Sequence, residues 1–350
     1  MSTVEDFSRE LENKLTAVMS VTPAVKEKLK SRGKMLARDR LSHLCDPDPG
    51  SVLELSSLAA DGLYDGRFPG AGLVTAIAKV CGIWCAVIIN EGSTMGGTWT
   101  GLSCEKALRL QQIAMELGLP ALYIVDSGGA FLHTQAESFP EKFGRIFSNE
   151  AKIKNSISAE AQIPAMCDEI VMCETNGTIY LAGPPLVKAA TGELLDQMLV
   201  GGCQDGFREF MPSVGTVRFL KVLNKKNSRL RYNCLVVIHA KEVTNEDDRA
   251  SAEFYRKLHL FKTPKVAIVT NKDFLGVGAK HFKAHKMLLP QSPTASCLDF
   301  TFRFQWPDVV NAFKDTALIR DDGVIDSRDT KLVVAQCAGI CNQRFVSACM

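Results

Sequence analysis

The residues best suited to chemistry in this chain stand together as Asp126-Ser127-Gly128-Gly129-Ala130, directly after the apolar run 121–125. Two adjacent glycines at the end of a buried strand let backbone approach a ligand and aim amide N–H groups at it. Such donors stabilise negative charge on a carbonyl oxygen when a second donor converges on the same point. A second glycine pair, Gly96-Gly97, lies in the loop EGSTMGGT over 91–98. No Gly-Lys-Ser/Thr closes that loop, so it is not a nucleotide P-loop. Gly183-Pro184-Pro185 is rigid, and the apolar residues beyond it could wall a flat or acyl ligand. Ser127, His133 and Glu137 do not read as a hydrolytic triad, because the serine lacks a G-x-S-x-G elbow. His133 reads as a surface residue, Lys188 as a phosphate contact or a helix cap, and Phe302, Phe304 and Trp306 as core.

The elements that must position these residues follow from periodicity. Residues 73–80 and 83–89 are rich in Val and Ile and broken at Cys81-Gly82, which predicts a hairpin. Ser103 is the expected cap of the next helix, with Glu105 in its first turn. In that helix Ala107, Leu110, Ala114 and Leu117 form one apolar stripe. Gly118 should end the helix and Pro120 open the next strand. Residues 5–30 read as one charged helix and 146–161 as another. Residues 170–173 and 178–181 read as short strands, and Asp46-Pro47-Asp48-Pro49-Gly50 as a turn. The strand–strand–helix–strand order predicts an α/β fold with a parallel element.

The arrangement returns weakly in the second half. Helical material over 248–260 leads through Pro264 into a strand at 265–270, as Pro120 leads into 121–125, and both strands run toward a Phe-Leu pair. Strand candidates at 214–223 and 234–240 precede it. The second copy has lost its Gly-Gly.

Composition limits the function classes. The chain has 350 residues, 46% of them hydrophobic, enough for one large core or two moderate ones. Its 41 basic and 39 acidic residues leave a net charge of +2, so no bulk field recruits nucleic acid or membrane. A local basic cluster, Lys26, Lys28, Lys30, Arg32, Lys34, Arg38 and Arg40, reads as a solvated helical face or as a surface for phosphates or an acidic partner. The 12 cysteines are scattered, and the C-x3-C pairs Cys81/Cys85 and Cys337/Cys341 sit in no zinc knuckle, so free thiols and no metal are expected. No run approaches the roughly 20 apolar residues of a membrane span. The opening MSTVEDFSRELENKLTAV reads as neither an export signal nor an Arg-rich presequence.

Three stretches carry a resemblance: VDSGGAFL-TQAE-FP--FGRIF over 125–147, TIYLAGPPLVKAATGE over 178–193 and IRDDGVIDSRDT over 319–330. With RGKMLARDRLSHLCDPD over 32–48, they resemble the carboxyltransferase (beta) subunit of biotin-dependent acyl-CoA carboxylases. The 3-methylcrotonyl-CoA carboxylase branch is the nearest in pattern. The match is dense over 32–193 and thins to patches beyond.

The resemblance implies an α/β, crotonase-like (ClpP/crotonase superfamily) fold with two related halves, the second degenerate. The expected divisions are a helical, basic segment at 1–50, one crotonase-like domain at 51–202 and a degenerate one at 203–350. Implied with it is transfer of a carboxyl group from carboxybiotin, carried on a partner alpha subunit, to an acyl-CoA in leucine catabolism. The alternative is an inactive paralogue that binds CoA thioesters or carboxylase subunits. A homo- or hetero-oligomer follows, working in the mitochondrial matrix or the cytoplasm. Gly128 and Gly129 would steady the enolate, with Gly96, Gly97, Ser127, Ala130, Gly183, Pro184 and Pro185 around the acyl-CoA. Phe274, Leu275 and Gly276 would face the biotin.

The sequence departs from the family in two places. The segment Ile163-Pro164-Ala165-Met166 follows the expected helix 146–161 almost at once, so an inner strand and its glycine pair read as absent. Residues 279–301 hold no glycine-rich helix start to answer Phe274-Leu275-Gly276.

Overall fold

The structure is a computed structural model and describes residues 4–153, 156–159, 169–170, 188, 192, 236–240, 265–269, 300–303 and 312–347. Two helices open it, α1 (Val4–Met19) and α2 (Pro23–Lys30), where a single helix was expected over 5–30. Pro23 explains the break: it has no N–H to donate inside a helix, but it suits the first turn, and Thr22 before it is extended. A third helix, α3 (Ala37–Leu44), ends before the Asp-Pro turn.

Six strands form the main sheet in chain order: β1 (Val52–Leu55), β2 (Leu73–Val80), β3 (Ile83–Asn90), β4 (Ala121–Ile124), β5 (Ser156–Ala159) and β6 (Glu169–Ile170). The first three pair antiparallel, and β3 through β6 are parallel. The β2–β3 hairpin is the one expected. Its turn residues Cys81 and Gly82 have φ of 50° and 80°, the mirror-image geometry that fits strand twist. Asp46 from the Asp-Pro turn accepts both of their N–H groups, at 2.7 and 2.8 Å.

Helix α4 (Gly101–Leu117) crosses between β3 and β4 and buries Ala107, Leu110, Ala114 and Leu117, the expected stripe. Gly118 ends it in the left-handed region at φ 62°, again as expected. Its cap is Thr100, not Ser103. Thr100 Oγ1 accepts the Ser103 N–H at 3.2 Å while Ser103 Oγ accepts the Thr100 N–H at 2.9 Å, so Ser103 is the reciprocal member of the box.

Beyond β4, α5 (Gln135–Ser138) and α6 (Glu141–Glu150) lie against α4. The expected helix over 146–161 therefore stops at Glu150. The inner strand that read as absent is β5, paired to β4 on one side and β6 on the other. Ser156-Ile157-Ser158 alternates at period two, but its hydroxyls carry little strand signal; the two neighbours impose the strand. Of the expected strand 170–173 only Ile170 is described, at the end of β6.

A second, all-parallel sheet runs β10 (Gly323–Val324), β9 (Phe300–Arg303), β8 (Lys265–Val269) and β7 (Val236–Ala240). Strands β7 and β8 fall on the candidates at 234–240 and 265–270; those at 178–181 and 214–223 and the helix at 248–260 lie outside the described residues. Of two later helices, α7 (Ala312–Ala317) lies against β10, and α8 (Thr330–Ser347) returns to β3 and α4. Phe302, Val333, Cys337, Ile340 and Cys341 share the core of β1 to β4 and α4. Gln336 Nε2 donates to the carbonyls of Gly50 and Val52 at 3.0 and 2.9 Å, and Arg109 on α4 grips Asp322 at 2.6 and 2.8 Å, both groups buried. The cysteines described are unbridged, and no cluster among the described residues could hold a metal ion. No described helix is long and apolar enough to cross a membrane.

Candidate functional site

Because β3 and β4 are parallel neighbours, their C-terminal ends open side by side. This is where ligands bind in sheets of this kind. The loop after β3 carries Gly96-Gly97 and the turn after β4 carries Gly128-Gly129, so topology alone brings both pairs together. Gly128 N–H donates to Gly96 O at 2.9 Å, Trp99 N–H to Gly129 O at 2.9 Å, and Phe131 N–H to Trp99 O at 2.8 Å. Gly97, at φ 70°, is packed so tightly that a Cβ would strike the Asp126 carbonyl oxygen. The loop over 91–98 is thus the bed on which the turn lies.

The four glycines differ in what they leave free. Gly128 spends its N–H on Gly96, and a Cβ there would come within 3.0 Å of the Thr98 methyl. Gly129 is exposed at φ 87°, and a Cβ there would meet nothing within 4 Å. Its N–H donates at 3.0 Å to Ser127 Oγ, a hydroxyl oxygen that χ1 rotation withdraws. Gly129 is therefore the residue of the pair that faces open space with a donor held by a displaceable acceptor. Three exposed apolar side chains belong to the loops and short helix that follow β3 and β4: Met95, Leu132 and Phe139, at 46%, 61% and 46%.

The imagined triad goes three separate ways. Ser127 takes the Gly129 N–H, His133 is exposed and stacks on Phe131 at 5.1 Å, and Glu137 Oε2 accepts the Tyr64 hydroxyl at 3.0 Å. Burial, and then that bond, push the Tyr64 phenol up to about 12. Beneath the site Lys106 donates to the carbonyls of Gly70 and Leu73 at 2.9 and 2.7 Å; burial lowers its ammonium to about 7.

Sequence reasoning missed what holds the turn from behind. The carboxylate of Asp126 receives Lys34 Nζ and, at 3.3 Å, Arg40. Arg38 grips Glu54 at 2.6 and 3.1 Å, and the Ala37 N–H donates to Glu91 Oε2 at 3.1 Å. The basic cluster is therefore split: Lys26, Lys28, Lys30 and Arg32 are solvated, whereas Lys34, Arg38 and Arg40 are spent inside. An acid next to the glycine pair was the signal available, but nothing in the sequence says which cation answers it. Gly183, Pro184, Pro185, Phe274, Leu275, Gly276, Phe304 and Trp306 lie outside the described residues. Lys188 is exposed, and Phe302 is core at 1% exposure.

Comparison with known proteins gives the family and the fold. The carboxyl transferase domain family matches residues 28–257, well over half the chain. The biotin-dependent 3-methylcrotonyl-coenzyme A carboxylase beta1 subunit of Mycobacterium tuberculosis is 42% identical over 208 residues, 55% of this chain. The mitochondrial methylcrotonoyl-CoA carboxylase beta chain of Arabidopsis thaliana is 45% identical over 187 residues, 49% of this chain. The chain spans only 39% and 32% of the length of these two relatives. Among solved structures, the beta subunit of P. aeruginosa geranyl-CoA carboxylase superposes with a TM-score of 0.71 at 20% identity, covering 98% of this chain and 93% of that one. Transcarboxylase 12S follows at 0.56 and 16% identity. These likenesses establish the crotonase-like carboxyltransferase fold. The chain belongs to the carboxyl transferase domain family.

Proposed function

We propose that this chain is a carboxyltransferase subunit that takes acyl-CoA thioesters of the 3-methylcrotonyl type. The observation that carries the reading is the Gly129 N–H, exposed at the mouth of the parallel strands. A thioester oxygen entering there displaces Ser127 Oγ and accepts that N–H, which stabilises the negative charge that grows when the substrate carbon is deprotonated. Gly128 and Gly97 keep the turn seated, and Met95, Leu132 and Phe139 offer apolar surface to the acyl end. Gly183, Pro184 and Pro185 are proposed as the far wall. Support comes from the family match and from the relatives named as 3-methylcrotonyl-CoA carboxylase beta chains.

Carboxybiotin on a partner alpha subunit would supply the carboxyl group. Its expected neighbours Phe274, Leu275 and Gly276 lie outside the described residues, so no step is derived through it. The reading includes an oligomeric assembly, the divisions 1–50, 51–202 and 203–350, and a place in leucine catabolism in the mitochondrial matrix; the names of the eukaryotic relatives carry the word mitochondrial.

One observation favours a second reading, an inactive paralogue that retains thioester or subunit binding. The family places a glycine pair between β5 and β6, and residues 160–168 contain no glycine. The test mixes purified chain with a biotin carboxylase partner, bicarbonate, ATP and 3-methylcrotonyl-CoA. Carboxylation that is lost in Gly129→Val supports the enzyme. Thioester binding without turnover supports the paralogue, and a folded chain that binds no thioester sinks both.

A further inference from the structure

We propose that Lys34 and Arg40 are positioning residues for the Gly129 donor, acting through Asp126. The inference rests on the reading of residues 127–130 as the thioester site. Asp126 is the hinge between β4 and the turn, and it is held at both ends. Its carbonyl oxygen lies against Gly97, and its carboxylate, 13% exposed, receives Lys34 and Arg40. It is also closely approached: a Cβ on Gly92 would come within 2.8 Å of Asp126 Oδ2, so a larger residue there obliges the carboxylate to shift.

The cations themselves are fixed. Ala37 between them is fully buried with its N–H on Glu91, and Arg38 is held by Glu54 in a two-point grip. Glu91 in turn accepts Ser93 N–H at 3.0 Å and Ser93 Oγ at 2.7 Å, inside the loop that beds the turn. One short segment, 34–40, therefore fastens both glycine loops and sets their spacing.

This role separates from a merely structural one. Lys34 is 38% exposed, and ion pairs of that kind contribute little to global stability. Displacing a donor by about 1 Å costs on the order of 10²-fold in rate.

The test uses the full chain with 3-methylcrotonyl-CoA labelled with ¹³C at the thioester carbonyl, and compares wild type with Lys34→Ala, Lys34→Arg, Asp126→Asn, Gly92→Ala and the Lys34→Ala/Asp126→Asn double variant. The wild type should shift the bound carbonyl resonance downfield, because a hydrogen bond polarises it. Lys34→Ala, Asp126→Asn and Gly92→Ala should return it toward the free value, with the melting temperature unchanged for Lys34→Ala. Lys34→Arg should restore it, and the double variant should be no worse than Asp126→Asn alone. Where the wild type turns over, kcat should fall about 10- to 10²-fold in the ion-pair variants while KM stays within about twofold. A carbonyl shift unchanged in all the variants, or losses that add in the double variant, overturns this proposal and leaves the thioester site standing. A wild type that binds no thioester removes the site and this inference with it.

Discussion

Glu150 makes the sharpest test of the inner strand's surroundings. It closes α6 just before the chain turns into β5, is 1% exposed, and neither oxygen has a hydrogen-bond partner among the described residues. Burial raises its carboxyl from 4.5 to about 9. The folded state therefore holds the proton where the unfolded chain releases it. A raised folded pKa means stability that is complete below pH 4.5 and lost as pH climbs toward 9. Each pH unit in that window costs about 1.4 kcal/mol, so at pH 7 the loss relative to pH 4.5 is about 3 kcal/mol. Glu150→Gln keeps the shape and removes the proton. Its unfolding free energy, measured by urea titration from pH 5 to 7, should equal the wild type's near pH 5 and exceed it by about 3 kcal/mol at pH 7. Lys106, lowered to about 7, adds stability only as pH rises from there toward 10.5, and it is present in both proteins, so the difference isolates Glu150. Parallel curves would refute the assignment.

Other expectations follow from the same contacts. Replacing Arg109 with Met, or Asp322 with Asn, leaves one buried charge unpaired and should cost about 3–5 kcal/mol in denaturant titration. Replacing both with apolar residues should cost much less. Gly97→Ala should prevent the turn from seating and lower both melting temperature and thioester affinity. Gly129→Val should abolish thioester binding, since its side chain enters open space where the ligand sits, and should lower the melting temperature as well, because a β-branched residue is strained at φ 87°. Inserting a glycine pair after Ala159 should raise carboxyl transfer by about 10²–10³-fold, read in the coupled assay.

How much of this was legible depended on whether the signal was local. The β2–β3 hairpin, the α4 stripe and the Gly118 stop were readable because each is written in consecutive residues: a Val/Ile pattern, a 3.6-residue repeat, a glycine at φ 62°. The meeting of Gly96-Gly97 with Gly128-Gly129 was expected from resemblance, and the parallel pairing of β3 with β4 supplies its physical cause. Strand β5 was read as helix because Phe143, Ile146 and Ile153 extend a helical repeat, whereas Ser156-Ile157-Ser158 is a strand only between β4 and β6. The partners of Lys34 and Arg40 were hidden for a similar reason. Asp126 is far along the chain, and a run of cations looks the same whether its charges face water or a carboxylate.

The inner strand also changes what the missing glycines mean. With no strand there, the fold itself would be in doubt. With β5 in place, Ala159 pairs with Ile124, so the chain leaves β5 beside the turn that carries Gly129. The sequence that follows β5 reads Glu160-Ala161-Gln162-Ile163-Pro164, without a glycine. Every non-proline residue brings an N–H, so what the glycines add is close approach, not the donor itself. One donor lost is on the order of 3 kcal/mol of transition-state stabilisation, while substrate binding through the remaining contacts survives. Thioester affinity and turnover should therefore separate in this chain, and the glycine insertion, which restores the close approach, should raise turnover with little change in affinity.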